Sequence, residues 1–348
     1  MQKPNFFSRA TKTTSALFVA GASLFMASCQ EGFLEDIIKG DKKDQEEMDV
    51  RVFASTNTGS NFAIFDVSDA KKVDQTIAST HSMDADGIYY SQEDDIVYQL
   101  SRTESVVNAY SDIMDLMGDT RVSPAFSSTS DFTNGREIAV EGHTLVVAED
   151  VDGMNQLVVY TLEDGAITLD RTYNVHIDLW GITLVDGTLY AVEDGTNNLA
   201  VFRDFGTHPE GNLPADQKVA IEGIVRTHGL SYDAENDVMV MTDIADAMND
   251  TDGAFHVIAD FSMKLEAAGH DGMIMVEDQI RVAGDNTYLG NPVDVAFSVD
   301  EKKVYVAERA NAGGQLLIFD YPTENGNMMP VTQVMYEGAS AVYLDEEK

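Results

Sequence analysis

The sequence of 348 residues contains a single cysteine, Cys29, so no disulfide can form within the chain and stability must come from burial and hydrogen bonding. Positive charge is scarce: 22 Lys and Arg stand against 60 Asp and Glu, a formal net charge of −38. A field of that sign repels phosphate backbones and anionic headgroups, which excludes nucleic acid as a partner. It favours cations, bound or dissolved, and solubility alone is a sufficient reason for it. Phosphate-cradling glycine loops, zinc-binding HExxH pairs and nucleophile elbows are all missing. Proline is rare, at 7 residues, while 26 glycines and 44% apolar residues suit one large β domain or two smaller ones.

The apolar run Ala16 to Met26 is too short to span a bilayer as a permanent helix. Lys3, Arg9 and Lys12 precede it, and no acid occurs in the first 28 residues. This anatomy reads as a signal peptide over residues 1–28. Ala27-Ser28-Cys29 resembles the lipobox of bacterial lipoproteins, with Met26 where that pattern prefers Leu. The resemblance implies that Cys29 becomes the lipidated first residue of a mature protein held at the bacterial outer membrane. Residues 29–50, centred on Asp41-Lys42-Lys43-Asp44-Gln45-Glu46-Glu47, lack strand alternation and read as a flexible acidic tether. Glu31, Glu35 and Asp36 are similar to export signals of surface lipoproteins in Bacteroidetes-type bacteria, which implies a cell-surface position.

From residue 51 onward one pattern recurs. First strands start near Gly87, Gly135, Gly181, Gly229, Val293 and Gly338, at intervals of 48, 46, 48, 64 and 45 residues. Asn291 to Phe297, Lys303 to Arg309 and Gly314 to Asp320 show the unit clearly: strand, acidic turn, strand, then a third strand ending in an aromatic. Gly165 to Asp170 and Pro330 to Val334 supply fourth strands. Four-stranded units of this size are the blades of a β-propeller. The last copy, Gly338 to Leu344, is only a first strand, whereas the folded segment begins with a second strand, Val52 to Asn57, and a third, Phe62 to Asp66. Joining the two ends completes a blade and leaves no unpaired edge. The expected fold is an all-β, six-bladed propeller over residues 51–348. A seventh blade would need a hidden copy within residues 229–293, where Asp246 to Asp252 and Met263 to His270 read instead as a loop and a short helical insertion.

Pro292-Val293-Asp294-Val295-Ala296-Phe297-Ser298-Val299-Asp300 and Val304-Tyr305-Val306-Ala307 resemble the repeats of bacterial YVTN, NHL and gluconolactonase-like propellers. The resemblance implies the fold, and function only by analogy. It also implies calcium held by Glu, Asp and Asn from different blades, although no ligand set of that family maps onto particular positions here.

In a four-stranded meander, second strands end and first strands begin on one face of the disc. Second strands end in Thr56-Asn57, Leu100-Ser101, Glu149-Asp150, Glu193-Asp194, Thr242-Asp243 and Glu308-Arg309. First strands are entered by Asp86, Asn134, Trp180, His228, Pro292 with Asp294, and Glu337. Acids crowd this rim, and acids beside glycine are also ordinary turn chemistry. Converging carboxylates repel one another, and a hard cation relieves them, so Glu149, Glu193 and Asp243 are candidate calcium ligands. Trp180, Asp194 and Asp294 are candidate ligand-binding residues, and His228 and Arg309 candidate catalytic ones. Trp180 either stacks a ring-bearing ligand or wedges between blades. His176 also precedes a first strand. Ser82 to Glu93 imitates a calcium loop, but Ile88-Tyr89-Tyr90 reads as strand.

The sequence therefore leads to a lipid-anchored propeller that binds a small molecule, glycan or envelope protein on its acidic rim. The alternative is a calcium-dependent lactonase or related hydrolase.

Overall fold

A computed structural model describes residues 49–347, so the leader, Cys29 and the tether up to residue 48 lie outside the described residues. Six antiparallel sheets follow one another along the chain, and together they form a six-bladed β-propeller. The 64-residue interval holds no seventh blade. Its extra length is the 244–253 loop and one α-helix, Phe261–Ala268, followed by a short strand, Gly272–Ile274. Phe261 and Leu265, one helical turn apart, bury the helix against blades 4 and 5. Gly269, at φ 67, ends the helix by bonding back to Leu265 and Glu266.

Closure follows the pattern expected from the two termini. Blade 1 takes its first strand, Ala339–Glu346, from the end of the chain and pairs it antiparallel with Val50–Thr56, Val52 lying opposite Leu344 and Ala54 opposite Val342. The propeller thus begins at Val50, one residue inside the stretch read as tether. Asn61–Asp66 and Asp74–Ser79 complete that blade.

Second strands such as Thr144–Glu149 are buried on both faces, and their period of two splits each one between two cores. Leu145 and Val147 enter the core shared with blade 2, while Val146 and Ala148 enter the core shared with blade 4. Six apolar cores result among the described residues, one for each blade interface. Outer edges are covered as well. Thr120–Arg121, Gly211–Asn212 and Gly272–Ile274 leave the following blade and pair in parallel with the fourth strands of blades 1, 3 and 4.

At the axis the first strands crowd one another. A Cβ on Gly181 would lie 2.2 Å from the carbonyl oxygen of His228 in the next blade, and one on Gly229 would lie 2.4 Å from the Asp294 Cα. The repeated glycine marks this backbone approach. Beside it, five of the six first strands carry an extra residue opposite their partner. The bulged positions are Asp86 with Gly87, Arg136, Trp180 with Gly181, Val293 and Ser340. A bulge redirects a side chain that strict alternation would send to a blade face.

Because the closing strand contributes Ala341 and Val342 to two cores, a chain ending at Glu337 should lose more than about 10 °C in Tm or fail to fold. A thermal melt followed by circular dichroism checks this, and an unchanged Tm contradicts the closure.

Candidate functional site

The bulged residues and the ends of the second strands meet at the mouth of the axis, around a cavity of about 220 Å³. Its chemistry is not that of an acidic rim. Arg102, Arg226 and Arg309 line it together with Trp180, His228 and Asn291. The carboxylates expected to face the opening turn back into their own loops. Glu149 Oε1 accepts the Thr133 N–H at 2.7 Å and its hydroxyl at 3.0 Å. Asp243 Oδ1 accepts the N–H groups of Val225, Arg226 and Ala245 at 3.0–3.1 Å. Glu308 accepts four, from Gly290, Asn291, Ala310 and Asn311. Buried loop amides need acceptors, and an acid at the strand end supplies several at once. Thr56 and Ser101 occupy the same strand-end position in blades 1 and 2 with hydroxyls, Thr56 bonding the Glu337 carbonyl and Ser101 accepting from Ser82.

Glu149, Glu193 and Asp243 are accordingly not brought together as a metal site. Glu193 holds Asn198 at 2.7 Å and Lys218 at 3.2 Å. Among the described residues no three His, Cys, Asp or Glu side chains cluster in a way that could hold a metal ion. The donors expected for calcium do not fit it in this arrangement. Ser82 to Glu93 is no calcium loop either, since Ala85–Ser91 is a first strand.

With those acids turned away, Asp86 is the one carboxylate in the lining, against Arg102, Arg226 and Arg309. Asp194 holds Arg226 through two bonds, Nε to Oδ1 at 2.8 Å and Nη2 to Oδ2 at 3.0 Å, and accepts His228 Nε2 at 3.1 Å. Burial pushes the Asp194 carboxyl up, but the hydrogen bonds and charges of His228 and Arg226 outweigh it and hold the group well below the usual carboxylate range. His228 moves downward, mainly through burial and further through the charges of Arg226 and Arg136 against Asp194. Its imidazole is therefore neutral at pH 7, with the proton on Nε2 and Nδ1 buried without a partner.

Trp180 lies almost parallel to the His228 ring, centroids 3.7 Å apart at 8°. The Arg136 guanidinium carbon sits 4.2 Å from the indole centre. Two groups that close to one ring centre cannot share a face, so both faces of Trp180 are covered, one from blade 3 and one from blade 5. Trp180 is thus wedged between blades and offers a ligand only its edge. Asp150 anchors Arg136 at 2.8 Å.

Arg102 spans Asp86 at 3.2 Å, Asp84 at 3.5 Å and Asn134 at 3.1 Å, while its Nε is buried without a partner. Arg309 is exposed, donates to Asn57 at 3.2 Å, and forms no ion pair with any described carboxylate. The Asn291 amide oxygen, also at the mouth, is buried and unpartnered. His176 lies exposed outside this lining.

Below the mouth a second cavity of about 260 Å³ follows the axis between the first strands. Asp294 lies there rather than at the opening, accepting the Val342 N–H of blade 1 at 2.7 Å. Glu137 reaches in from blade 3, opposite blade 6, and accepts the Ile138 N–H at 2.8 Å. Burial pushes Asp294 up to about 7, and it raises Glu137 well above the ordinary glutamate value, with the Asp294 charge adding to the shift.

Trp180, His228 and Arg309, which break the repeat, share one cavity, and Asp194 stands behind them. Sequence reasoning missed Arg102, Arg136, Asn291 and Glu137. One signal was present: Arg102 and Arg309 each directly follow the last residue of a second strand.

No family model matches the chain, and no curated protein matches it. Similar folds are common among solved structures, with 719 matching chains, so likeness of shape does not select a function. One is a chain from the crystal structure of a nidogen/laminin complex, at 11% identity and TM-score 0.58, covering 85% of this chain and 98% of its own. Another is a provisional 6-phosphogluconolactonase from Bacteroides fragilis, also 11% identical with TM-score 0.58, covering 88% and 100%. Both likenesses define a β-propeller and nothing finer.

The buried acids generate a stability prediction. Asp294 binds its proton more tightly folded than unfolded, so its contribution is complete below the ordinary carboxylate range and is lost as pH rises through about 7. Unfolding free energy from urea titration should fall between about pH 4 and 7.5 and level off above that. Asp294→Asn should be the more stable form at pH 8.5, by roughly 1–3 kcal/mol. A flat profile in the parent protein would contradict the burial argument.

Proposed function

We propose that this propeller captures a small organic anion carrying hydroxyl groups, of the sugar-acid class, in the arginine-lined mouth of its axis, and that Cys29 tethers it by lipid to the outer membrane. The carrying observation is the convergence of Arg102, Arg226 and Arg309 on one cavity in a chain of net charge −38. Guanidinium groups favour carboxylate and phosphate oxygens; Asp86 and Asp84 engage Arg102 and Asp194 engages Arg226, so Arg309, without a carboxylate partner among the described residues, is the one that leaves that demand open. Two further residues of the lining, Asn291 and His228, each hold a buried acceptor without a partner. An anion satisfies the guanidinium donors, and hydroxyl groups supply donors for the acceptors. Inorganic sulfate would answer only the first need.

Isothermal titration with gluconate and galacturonate as probes tests this reading. Arg309→Ala should weaken binding by about 10- to 100-fold, the range for a hydrogen bond to a charged group. Equal affinity in the variant, or no binding by the parent protein, contradicts it. For the anchor, Cys29→Ala should release the protein from the membrane fraction, and continued membrane retention would overturn the lipid tether.

A second reading, hydrolysis of an anionic lactone, is favoured by the His228–Asp194 pair. A neutral imidazole with one nitrogen fixed by a carboxylate is the arrangement of an oriented general base. Water would add to the lactone carbonyl, the ring C–O bond would break, and the product would be a hydroxy acid of the class the mouth suits. The solved neighbour described as a 6-phosphogluconolactonase gives this reading a substrate class to try. Turnover of a lactone panel that is lost in His228→Gln supports it. Turnover abolished by a chelator would restore the calcium dependence that the sequence resemblance implied.

A further inference from the structure

Resting on the reading of the mouth as an anion site, we infer that Asp86 is a built-in competitor for the ligand, so that the anion is taken up together with a proton and released when that proton leaves. Asp86 belongs to the bulge that opens blade 2, and its carboxylate both lines the mouth and holds Arg102 at 3.2 Å. The guanidinium that should receive the ligand is therefore already engaged by an internal anion.

Asp86 is 4% exposed, so its charge is poorly screened. A cavity of this volume is about 7 Å across, so an anion anywhere within it lies close enough to Asp86 that keeping both ionised is unfavourable. Protonation removes the conflict. It leaves a neutral carboxyl that can donate to the ligand and releases Arg102 from the nearer of its two carboxylates, Asp84 remaining at 3.5 Å, while its Nε is buried without a partner.

The surroundings of Asp86 hold it near this transition. Burial pushes it up to about 7 and the charge of Asp84 adds to that, while Arg102 and Arg136 pull it down. Glu137 of blade 3, Asp294 of blade 6 and Glu346 of blade 1 are the acids of the cavity beneath, and the Asp86 charge raises the first two. Arg226, Arg309 and the neutral His228 complete the charged and titratable lining of the mouth, and blade 1 contributes Ser340, bonded to the Ala85 carbonyl. His228 donates to Asp194 and titrates below its ordinary value, so the proton taken up near neutrality is not assigned to it.

The sign follows from linkage. An anion beside Asp86 raises the proton affinity of its carboxyl, so binding takes up a proton and tightens as pH falls. Above neutrality, affinity should drop toward tenfold per pH unit, the limit for uptake of one proton. Gluconate suits the test because its own carboxyl titrates far below this window.

Titration calorimetry with gluconate at pH 6 to 8.5, repeated in two buffers of different ionisation enthalpy, counts the protons. The parent protein should take up close to one proton per ligand near pH 8. Asp86→Asn should take up none and should bind at pH 8 as tightly as at pH 6. Arg102→Gln, which removes the shared partner and leaves Asp86 in place, should bind more weakly and lose most of the proton uptake. Circular dichroism melts establish that both variants are folded. If gluconate binds and Asp86→Asn retains the full pH dependence, the competitor role is overturned while the anion site stands. The competitor role also falls if Glu137→Gln or Asp294→Asn abolishes the dependence and Asp86→Asn does not. If no variant binds at any pH, the reading of the mouth itself fails.

Discussion

Six first strands converge on one axis, and the crowding there governs what the rest of the molecule can do. Gly181 shows the constraint most clearly. Its N–H donates to the His228 carbonyl at 3.0 Å, and a Cβ in its place would lie 2.2 Å from that oxygen. The bulge that accommodates this approach also turns Trp180 out of the blade face and toward the mouth. Because Gly181 and His228 are locked together through the backbone, the indole and imidazole rings lie parallel at 3.7 Å. The same stack fixes Arg136 and, through Asp194, Arg226. A packing requirement at the axis thereby arranges two guanidinium groups, Arg136 and Arg226, around Trp180 and Asp194 of blade 4.

The charge of the mouth is a second consequence of local hydrogen bonding. Loops that enter first strands contain buried amides, and the nearest acceptor is the residue at the end of the second strand. Where that residue is Glu149, Asp243 or Glu308, its carboxylate turns inward to the loop and is lost to the surface. The protein is strongly acidic in total, yet its axial opening is set by arginines. Net charge decides solubility and long-range repulsion, whereas the direction of individual side chains decides what a 220 Å³ cavity receives.

Much of the fold is legible in the sequence because it rests on spacing. The glycines at 87, 181 and 229 mark the axial approach, Gly135 packing instead on the Leu100 and Phe132 side chains, and the two incomplete ends predict the pairing of Val50–Thr56 with Ala339–Glu346. Trp180, His228 and Arg309 stand out because they depart from the repeat. What the sequence does not convey is direction. Nothing in Glu149-Asp150 says that the first acid caps Thr133 while the second holds Arg136. Position in the repeat puts Asp294 on the rim, but alternation beyond its bulge directs it into the cavity below. Arg136 escapes a reading by pattern because it is the extra residue of a bulge, which, unlike a turn, leaves little composition signal.

The most direct test is a crystal structure of the protein grown with gluconate at pH 6. The account predicts density in the axial mouth, with the ligand carboxylate bridging Arg102 and Arg309 and a hydroxyl directed at the Asn291 amide oxygen. A mouth containing only water, with gluconate ordered elsewhere on the protein, would contradict it.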